Sequence, residues 1–161
     1  MSEDLYNKMK QTALAHAHAY SESPPWNPDK VAAYRTPDCI QSLHPKESIP
    51  APFNEDLSME QFHQALYFFR NVLSRSSFEI SNVVVDAIER KVAMDFKGDF
   101  DLKAVGEDPA EYGFTATYVW ILKMTETGDK VARVDEFMDV QRLMDQVRPR
   151  AEKYAKLHGD S

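Results

Sequence analysis

The stretch EYGFTATYVWILKMTETGDKVARVDEFMDV, residues 111–140, determines the fold that this sequence predicts. Apolar and polar side chains alternate through residues 111–126 and again through residues 131–140, which is the period of two that β-strands have. The turn ETGDK separates the two segments, and its Gly128 supplies the left-handed residue that a tight hairpin needs. We therefore predict two long antiparallel strands joined by a short turn.

Two further segments upstream of this hairpin show the same alternation of apolar and polar residues. One face of each segment carries the following residues: Phe78, Ile80, Asn82 and Val84 in the first, and Val92, Met94, Phe96, Phe100 and Leu102 in the second. Gly98 interrupts the second segment, and we expect a bulge or bend there because glycine inside a strand often marks one. Four successive strands with short turns predict an antiparallel meander.

Helical spacing of apolar residues precedes these strands. Residues 3–22 place an apolar stripe on one helix face, and the proline-containing run SESPPW ends the helix. A short second helix begins at the N-cap Asn27 and reaches about Tyr34. A third helix begins at Ser58, which has the spacing of a capping box with Gln61.

The long connection between the second and third helices and the end of the chain complete the architecture. Residues 36–57 are rich in proline and include a short predicted strand at 39–44. Loops of this length are unusual in small domains, and they often form lids or pocket rims. A last helix is predicted from about Gln141, interrupted or kinked at Pro149.

The fold class that follows is α+β, with N-terminal helices packed on a curved antiparallel sheet and a C-terminal helix. We expect one domain over residues 1–161, with a core at about 5–140 and a helical extension at 141–158. A sheet that curls around helices leaves an open-ended cone. The sequence therefore predicts a small-molecule pocket inside that cone.

Composition and charge exclude several classes of protein. The net charge is −7, from 19 basic and 26 acidic residues, which argues against a nucleic-acid surface. No segment approaches the roughly 20 apolar residues that a membrane span needs. The N-terminus lacks the basic and apolar regions of a secretory signal, and the single Cys39 has no disulfide partner in the chain. We expect a cytoplasmic protein.

The predicted inner face of the long strand defines what the cone could hold. That face carries Tyr112, Phe114, Ala116, Tyr118, Trp120, Leu122 and Met124. On the last strand, Glu136 shares a face with the apolar residues Val134 and Met138. Burial raises the pKa of a carboxyl group, so Glu136 could act as a general acid or base near neutral pH. The alternative is a structural pair with Arg35 or Arg133.

Other polar residues have both a functional and a structural interpretation. Arg35 ends the second predicted helix, where its guanidinium could hold a ligand oxygen or could complement the helix terminus. The hydroxyl of Tyr118 could stabilise an oxyanion or simply find a partner in the core. Trp26 and Trp120 suit a pocket wall and a hydrophobic core equally well.

Metal and cofactor sites are not predicted. His16 and His18 are two residues apart on a helix, so they point to different faces and cannot hold one ion together. His44 and His63 have no matching spacing, and the sequence contains no GxGxxG, P-loop or GxSxG motif. We therefore expect neither a metal ion nor a cofactor.

Several segments, taken in order, form a pattern that spans roughly residues 5–140. These segments are HAYSESPPWNPDKVAAYRTPDC, HP at 44–45, FRN at 69–71, ERKVAM, AEYGFTATYVWIL and TGDKVARVDEFMD. The pattern resembles the NTF2-like superfamily, and within it the SnoaL-like proteins of fungal secondary metabolism. The resemblance implies the α+β cone described above and a homodimer that packs through the outer face of the sheet.

The resemblance also implies an activity, which is isomerisation or cyclisation of a hydrophobic polycyclic intermediate of secondary metabolism without a cofactor. It assigns catalytic roles to Glu136, Arg35 and Tyr118. Further residues are expected to contact the small organic substrate: Tyr112, Phe114, Trp120, Met124, His16, Trp26 and His44. Two other functions stay open, namely a protein that binds a small molecule without converting it and a structural dimer.

Overall fold

The computed structural model describes residues 3–107 and 112–159, and for Tyr112 it describes the backbone only. The helices are α1 (Glu3–Ala19), α2 (Pro28–Ala32), α3 (Met59–Arg70), α4 (Val140–Arg142) and α5 (Arg148–His158), with a 3-10 turn at Lys46–Ser48 and a π-helical turn at Leu143–Val147. None of the helices in this part of the chain is long and apolar enough to cross a membrane.

Six strands form one sheet with the order β2-β1-β6-β5-β4-β3. The strands are β1 (Arg35–His44), β2 (Asp56–Leu57), β3 (Leu73–Asp86), β4 (Lys91–Leu102), β5 (Tyr112–Met124) and β6 (Val131–Met138). The predicted meander of four antiparallel strands, β3 to β6, is confirmed, as is the α+β class. Helix α1 contacts β3 and β4, and α3 contacts β1.

Strand β1 departs from the prediction in length and position. It begins at Arg35, four residues before the predicted strand, so Arg35 starts a strand and does not end a helix. The cause is pairing with a distant segment, because β1 runs parallel to β6 and Arg35 lies opposite Val131. A parallel neighbour at the far end of the chain leaves no local pattern in the sequence. Helix α1 also ends at Ala19, three residues before its predicted end.

A β-bulge in β3 changes which residues face the core. Ile80 lies opposite Phe96, but Asn82 lies opposite Asp95, so one extra residue separates them on β3. Beyond that point Val83 packs against the core, and Val84 is 65% exposed. The predicted common face of Phe78, Ile80, Asn82 and Val84 is therefore wrong after Ile80.

Gly98 does not form the predicted bulge. The pairing continues without a shift through Gly98, which lies opposite Phe78 on one side and Ala116 on the other. The ring of Phe100 covers the glycine, and a Cβ atom at position 98 would lie 2.5 Å from its Cζ. Glycine is needed here because an aromatic ring occupies the space of its side chain.

The predicted interruption of the last helix is present, and it precedes Pro149 on the chain. The π-helical turn Leu143–Val147 separates α4 from α5, and Pro149 lies in the first turn of α5. Proline has no N–H and its ring clashes with the carbonyl four residues earlier, so a regular helix cannot continue through it. The wider π-helical turn accommodates this conflict.

Candidate active site

A cavity lies between helix α3 and the inner face of the sheet. Its volume is about 50 Å³, which is room for a few water molecules. Its walls are largely apolar and include Phe62, Leu66 and Phe69 from α3 and Leu43, Trp120 and Met138 from the strands. A drug-sized ligand needs about 300 Å³ or more, so a polycyclic ligand could enter only if these walls move apart.

Glu136 carries the one charged side chain among the described residues that line the cavity. Its position follows from the sheet register, because Glu136 lies opposite Trp120 on β5 and Leu43 on β1, and both neighbours also line the cavity. The side-chain amide Nε2 of Gln41 donates a hydrogen bond of 2.6 Å to its Oε2. The carboxyl group therefore stands in an apolar wall with one firm polar contact.

Burial raises the pKa of Glu136 from its ordinary value of 4.5 to about 7. Three neighbours oppose this shift by stabilising the charged form, namely the indole of Trp120, the guanidinium of Arg35 and the amide of Gln41. The buried Nε1 of Trp120 is near the carboxyl group but completes no hydrogen bond among the described residues. A pKa this close to neutral allows Glu136 to act both as an acid and as a base.

Arg35 lies behind the cavity wall and does not line the cavity. It is 4% exposed, and it donates hydrogen bonds to His16 Nε2 (3.0 Å), Tyr20 Oη (2.9 Å) and Gln41 Oε1 (2.8 Å). Its guanidinium carbon also lies 4.1 Å from the centre of the Phe62 ring, as a cation–π contact. Arg35 thus reaches Glu136 through an intervening amide.

The alternative pairing of Glu136 with Arg133 is not observed. Arg133 points to the outer face of the sheet, where it contacts Asp135 at 3.0 Å and Asp56 at 3.1 Å. The alternation of side chains along β6 explains this separation, because consecutive residues face opposite sides of the sheet.

Tyr118 lines the cavity and offers a hydroxyl group to it. The ring stacks on Phe96 with 5.2 Å between centroids, and the hydroxyl has no hydrogen-bond partner within the described part of the chain. Burial raises the pKa of Tyr118, and the nearby charges of Glu136 and Asp139 raise it further. The phenol is therefore neutral, and its proton is available to an oxygen atom of a ligand.

Tyr20 is a second tyrosine at the cavity, although sequence analysis did not identify it as a site residue. Its oxygen accepts the hydrogen bond from Arg35, so its own proton remains free to donate. Burial raises the pKa of Tyr20, and the adjacent Arg35 guanidinium partly offsets this. Tyr20 and Tyr118 thus bring two neutral hydroxyl donors to the cavity that contains Glu136.

Trp26, which was predicted as a binding residue, also lines the cavity. Its backbone has φ of 55°, a left-handed conformation that non-glycine residues rarely adopt. The indole Nε1 donates to Ser76 Oγ at 3.2 Å, and the ring packs edge-on against Tyr20 and Phe100. These contacts hold the side chain in the wall despite the backbone strain.

His16 and His44 do not line the cavity. His16 is fully buried behind it, and its Nε2 accepts from Arg35, so the proton of the neutral ring resides on Nδ1. Burial and the Arg35 charge both hold the pKa of His16 well below its usual value. His44 lies on the outer face of the sheet, where it contacts Asp135 and stacks on Phe137.

The predicted face of β5 is longer than the cavity, so it also contains residues that lie outside it. Phe114 stacks on Phe100 with 4.9 Å between ring centroids, and Met124 is buried in the core. They stand about 13 and 20 Å along the strand from Tyr118, on either side of it. The side chain of Tyr112 lies outside the described residues.

Sequence analysis missed Gln41 and the apolar residues of α3 as part of this site. The stripe on α3 was visible as a helical pattern, but the pattern could not show that the stripe borders a cavity. Gln41 gave no signal, because the short strand predicted at 39–44 does not show in the sequence that it pairs with β6. No group of three or more His, Cys, Asp or Glu side chains within residues 3–107 and 112–159 could hold a metal ion.

Comparison with known proteins gives one relative by sequence and many by structure, and no protein-family model matches the sequence. The sequence is 29% identical over 120 residues to austinoid biosynthesis cluster protein J from Aspergillus calidoustus. That match covers 73% of this chain and 66% of the relative, so about a third of the relative lies outside it.

Solved structures match nearly the whole chain at lower sequence identity. PrhC from Penicillium brasilianum has a TM-score of 0.74 and 19% identity over 94% of this chain and 97% of its own. The BvnE pinacolase from Penicillium brevicompactum has a TM-score of 0.71 and 19% identity over 96% and 99% of the two chains. A protein from Shewanella denitrificans described as SnoaL-like has a TM-score of 0.61 and 16% identity over 88% and 97%. The chain therefore has the SnoaL-like fold that the sequence resemblance implied.

Proposed function

We propose that this protein is a cofactor-independent isomerase or cyclase that rearranges a hydrophobic polycyclic intermediate of secondary metabolism. The observation that carries the proposal is the single carboxyl group of Glu136 in an apolar cavity, with its pKa raised to about 7 by burial. A group with this pKa can both accept and return a proton at neutral pH.

In this proposal each polar group at the cavity has a distinct role. Glu136 moves the proton between two positions of the substrate. The hydroxyl groups of Tyr118 and Tyr20 donate hydrogen bonds to the substrate oxygen that gains negative charge. Arg35 strengthens the Tyr20 donor, because a hydrogen bond to the phenol oxygen polarises its O–H bond. The apolar walls select a substrate with few polar groups.

The names of the similar proteins support this proposal. One is a pinacolase, and another belongs to an austinoid biosynthesis cluster. We further propose that the protein is a cytoplasmic homodimer that packs through the outer face of the sheet. Three apolar residues on that face are substantially exposed, namely Val119 (40%), Ile121 (37%) and Phe137 (41%).

The second candidate is a protein that binds an apolar molecule without converting it. The largely apolar walls of the cavity support this alternative, whereas its small volume of about 50 Å³ favours a protein that holds no polycyclic molecule. A structural dimer is the third candidate, and it would bind no polycyclic molecule at all.

A tetracyclic β,γ-unsaturated ketone is a suitable probe, because its isomerisation needs one proton moved between two carbons and nothing else. Formation of the conjugated ketone is followed by its ultraviolet absorbance, and binding is followed by tryptophan fluorescence. We expect the wild type to convert the ketone. Glu136→Gln should bind it with similar affinity and convert it at a rate lower by a factor of about 100 or more. Equal rates for the two proteins would contradict the proposal. Binding without conversion by the wild type would favour the second candidate, and no binding the third.

A further inference from the structure

Gln41 links the two charged residues of the site. Its side chain is fully buried in β1 between Arg35 and Glu136. Arg35 Nη2 donates to Gln41 Oε1 at 2.8 Å, and Gln41 Nε2 donates to Glu136 Oε2 at 2.6 Å. The three side chains therefore form one continuous chain of hydrogen bonds from a permanent cation to a titrating carboxyl group.

The chemistry of arginine fixes the orientation of this amide. A guanidinium has donors only, so the carbonyl oxygen of Gln41 must face Arg35. The NH₂ group then faces Glu136, and it can only donate. The reverse orientation would place two donors against each other at Arg35 and two acceptors against each other at Glu136. Burial makes each such mismatch costly.

The fixed amide has a consequence for the two oxygens of Glu136. Oε2 accepts a hydrogen bond from a permanent donor, and a carbonyl oxygen is a better acceptor than a hydroxyl oxygen, so protonation is favoured on the other oxygen. When Glu136 is protonated, the proton therefore resides on Oε1. Within the described part of the chain the carboxyl group accepts one hydrogen bond, at Oε2, which leaves Oε1 to exchange its proton with a molecule in the cavity that Glu136 lines.

We propose that Gln41, whose amide is oriented by Arg35, is a positioning residue that selects Oε1 of Glu136 as the proton-exchanging atom. The inference rests on the proposed role of Glu136 as the acid–base group. It adds that the arginine holds the amide of Gln41 in this orientation and favours the ionised carboxylate from behind the cavity wall.

The other groups that surround Glu136 do not duplicate this link. Tyr20, which follows α1, is a neutral phenol because burial raises its pKa. His16, within α1, is a neutral imidazole because burial lowers its pKa. Tyr118 on β5 is a neutral phenol as well, and Trp120 is an uncharged donor. Arg35 is the permanent charge in this set, and Gln41 makes the hydrogen bond that connects it to Glu136.

The variant Gln41→Met tests the inference, because methionine has a similar length and no hydrogen-bonding amide. The pKa of Glu136 is measured by ¹³C NMR with labelled glutamate carboxyl groups, and the signal is assigned by its loss in Glu136→Gln. We expect the pKa of Glu136 to rise by about one unit or more, because the ionised form loses a donor. An unchanged pKa in a folded Gln41→Met protein would overturn the inference.

Ser42→Ala is a matched control in the same strand. Ser42 is also fully buried, and its hydroxyl donates to Asp56 at 2.9 Å, away from Glu136. This variant also loses a buried hydrogen bond, so its stability should fall, but the pKa of Glu136 should not change. A similar rise of the pKa in Ser42→Ala would mean that Gln41 acts only through general stability.

A measurement on the wild type removes any dependence on folding of the variant. The ¹⁵N side-chain amide signal of Gln41 should shift with pH at the same midpoint as Glu136, and it should not shift in Glu136→Gln. An amide signal that stays constant through that midpoint would overturn the inference. If Glu136 itself titrates near 4.5, the proposed function fails; if it titrates near 7 and Gln41 has no effect, only this inference fails.

Discussion

Trp120 lies directly opposite Glu136 in the ladder between β5 and β6, and both side chains line the same cavity. The indole N–H is near enough to lower the pKa of the carboxyl group, although it completes no hydrogen bond within the described part of the chain. Trp120 is therefore a natural spectroscopic reporter of the charge on Glu136.

Tryptophan fluorescence should titrate with a midpoint near pH 7 in the wild type, because ionisation of Glu136 changes the field at the indole. In Glu136→Gln this transition should disappear. The chain has two tryptophans, so Trp26→Phe is needed to isolate the Trp120 signal. A transition near pH 7 that persists in Glu136→Gln would assign the signal to another group.

Glu136 should make a contribution to stability that falls as the pH rises from about 4.5 to about 7, whereas buried His16 contributes the opposite slope, because its pKa lies below that of the unfolded state. Burial raises the pKa of Glu136 in the folded state, so Glu136 binds more protons in the folded state than in the unfolded state in this range, and its contribution to the free energy of unfolding decreases with pH. Glu136→Gln should remove the Glu136 part of the pH dependence while the His16 part remains, and it should be more stable than the wild type above pH 7, by up to about 3 kcal/mol. Urea unfolding at several pH values measures the difference.

The exposed residue Glu79 provides the control for this linkage. Glu79→Gln removes a carboxyl group from β3 that faces solvent, so the pH dependence should stay as in the wild type. Equal pH profiles for wild type and Glu136→Gln would show that Glu136 has an ordinary pKa in the folded protein.

Gly98→Ala should destabilise the protein by about 1 to 3 kcal/mol, because the new methyl group would overlap the ring of Phe100. Gly113→Ala in the adjacent strand is the matched control. Its Cβ would lie 3.4 Å from the nearest atom, an oxygen of Asp101, so it should have little effect. The double variant Gly98→Ala with Phe100→Leu should recover part of the loss. Thermal unfolding that finds both glycine variants equal would contradict the overlap.

Arg35→Met should raise the pKa of His16, because the guanidinium that opposes protonation is lost while burial remains. The variant should also be less stable, since Tyr20 and Gln41 lose a buried donor. Titration of the His16 ring signals by NMR measures the first effect. The signals of His158, on an exposed part of α5, serve as the internal reference and should not move. An unchanged His16 titration would mean that the two side chains are not in contact.

The proposed dimer predicts an effect of charge on the outer sheet face. Val119→Glu places a carboxylate opposite Phe137, and it should convert the dimer to a monomer in sedimentation velocity experiments. Ile88→Glu is the control, because Ile88 is 76% exposed in the turn between β3 and β4, away from that face. A wild-type protein that sediments as a monomer would exclude the dimer.

The four-strand meander could be predicted because its information is local. Alternating residues give the strands, and Gly128, which has φ of 71°, gives the turn of the last hairpin. The bulge between Ile80 and Asn82 could not be predicted, because one extra residue leaves the apolar composition of β3 unchanged.

The site was predicted in part, for a similar physical reason. Glu136 could be predicted as a site residue because it is a carboxylate on an otherwise apolar strand face, and that pattern is local in the sequence. Gln41 did not, because its importance comes from the parallel pairing of β1 with β6, which joins segments almost 100 residues apart. The same pairing buries Arg35, which the sequence alone placed at a helix end near the pocket rim.

The pKa of Glu136 in the wild-type protein is the quantity on which the proposed chemistry depends. Titration of its ¹³C-labelled carboxyl group by NMR, with assignment by Glu136→Gln, measures it without any knowledge of the substrate. We expect a midpoint of about 7, because burial in the apolar wall disfavours the charged form. A midpoint near 4.5 would show a permanently ionised carboxylate and would contradict the role of Glu136 as the acid–base group.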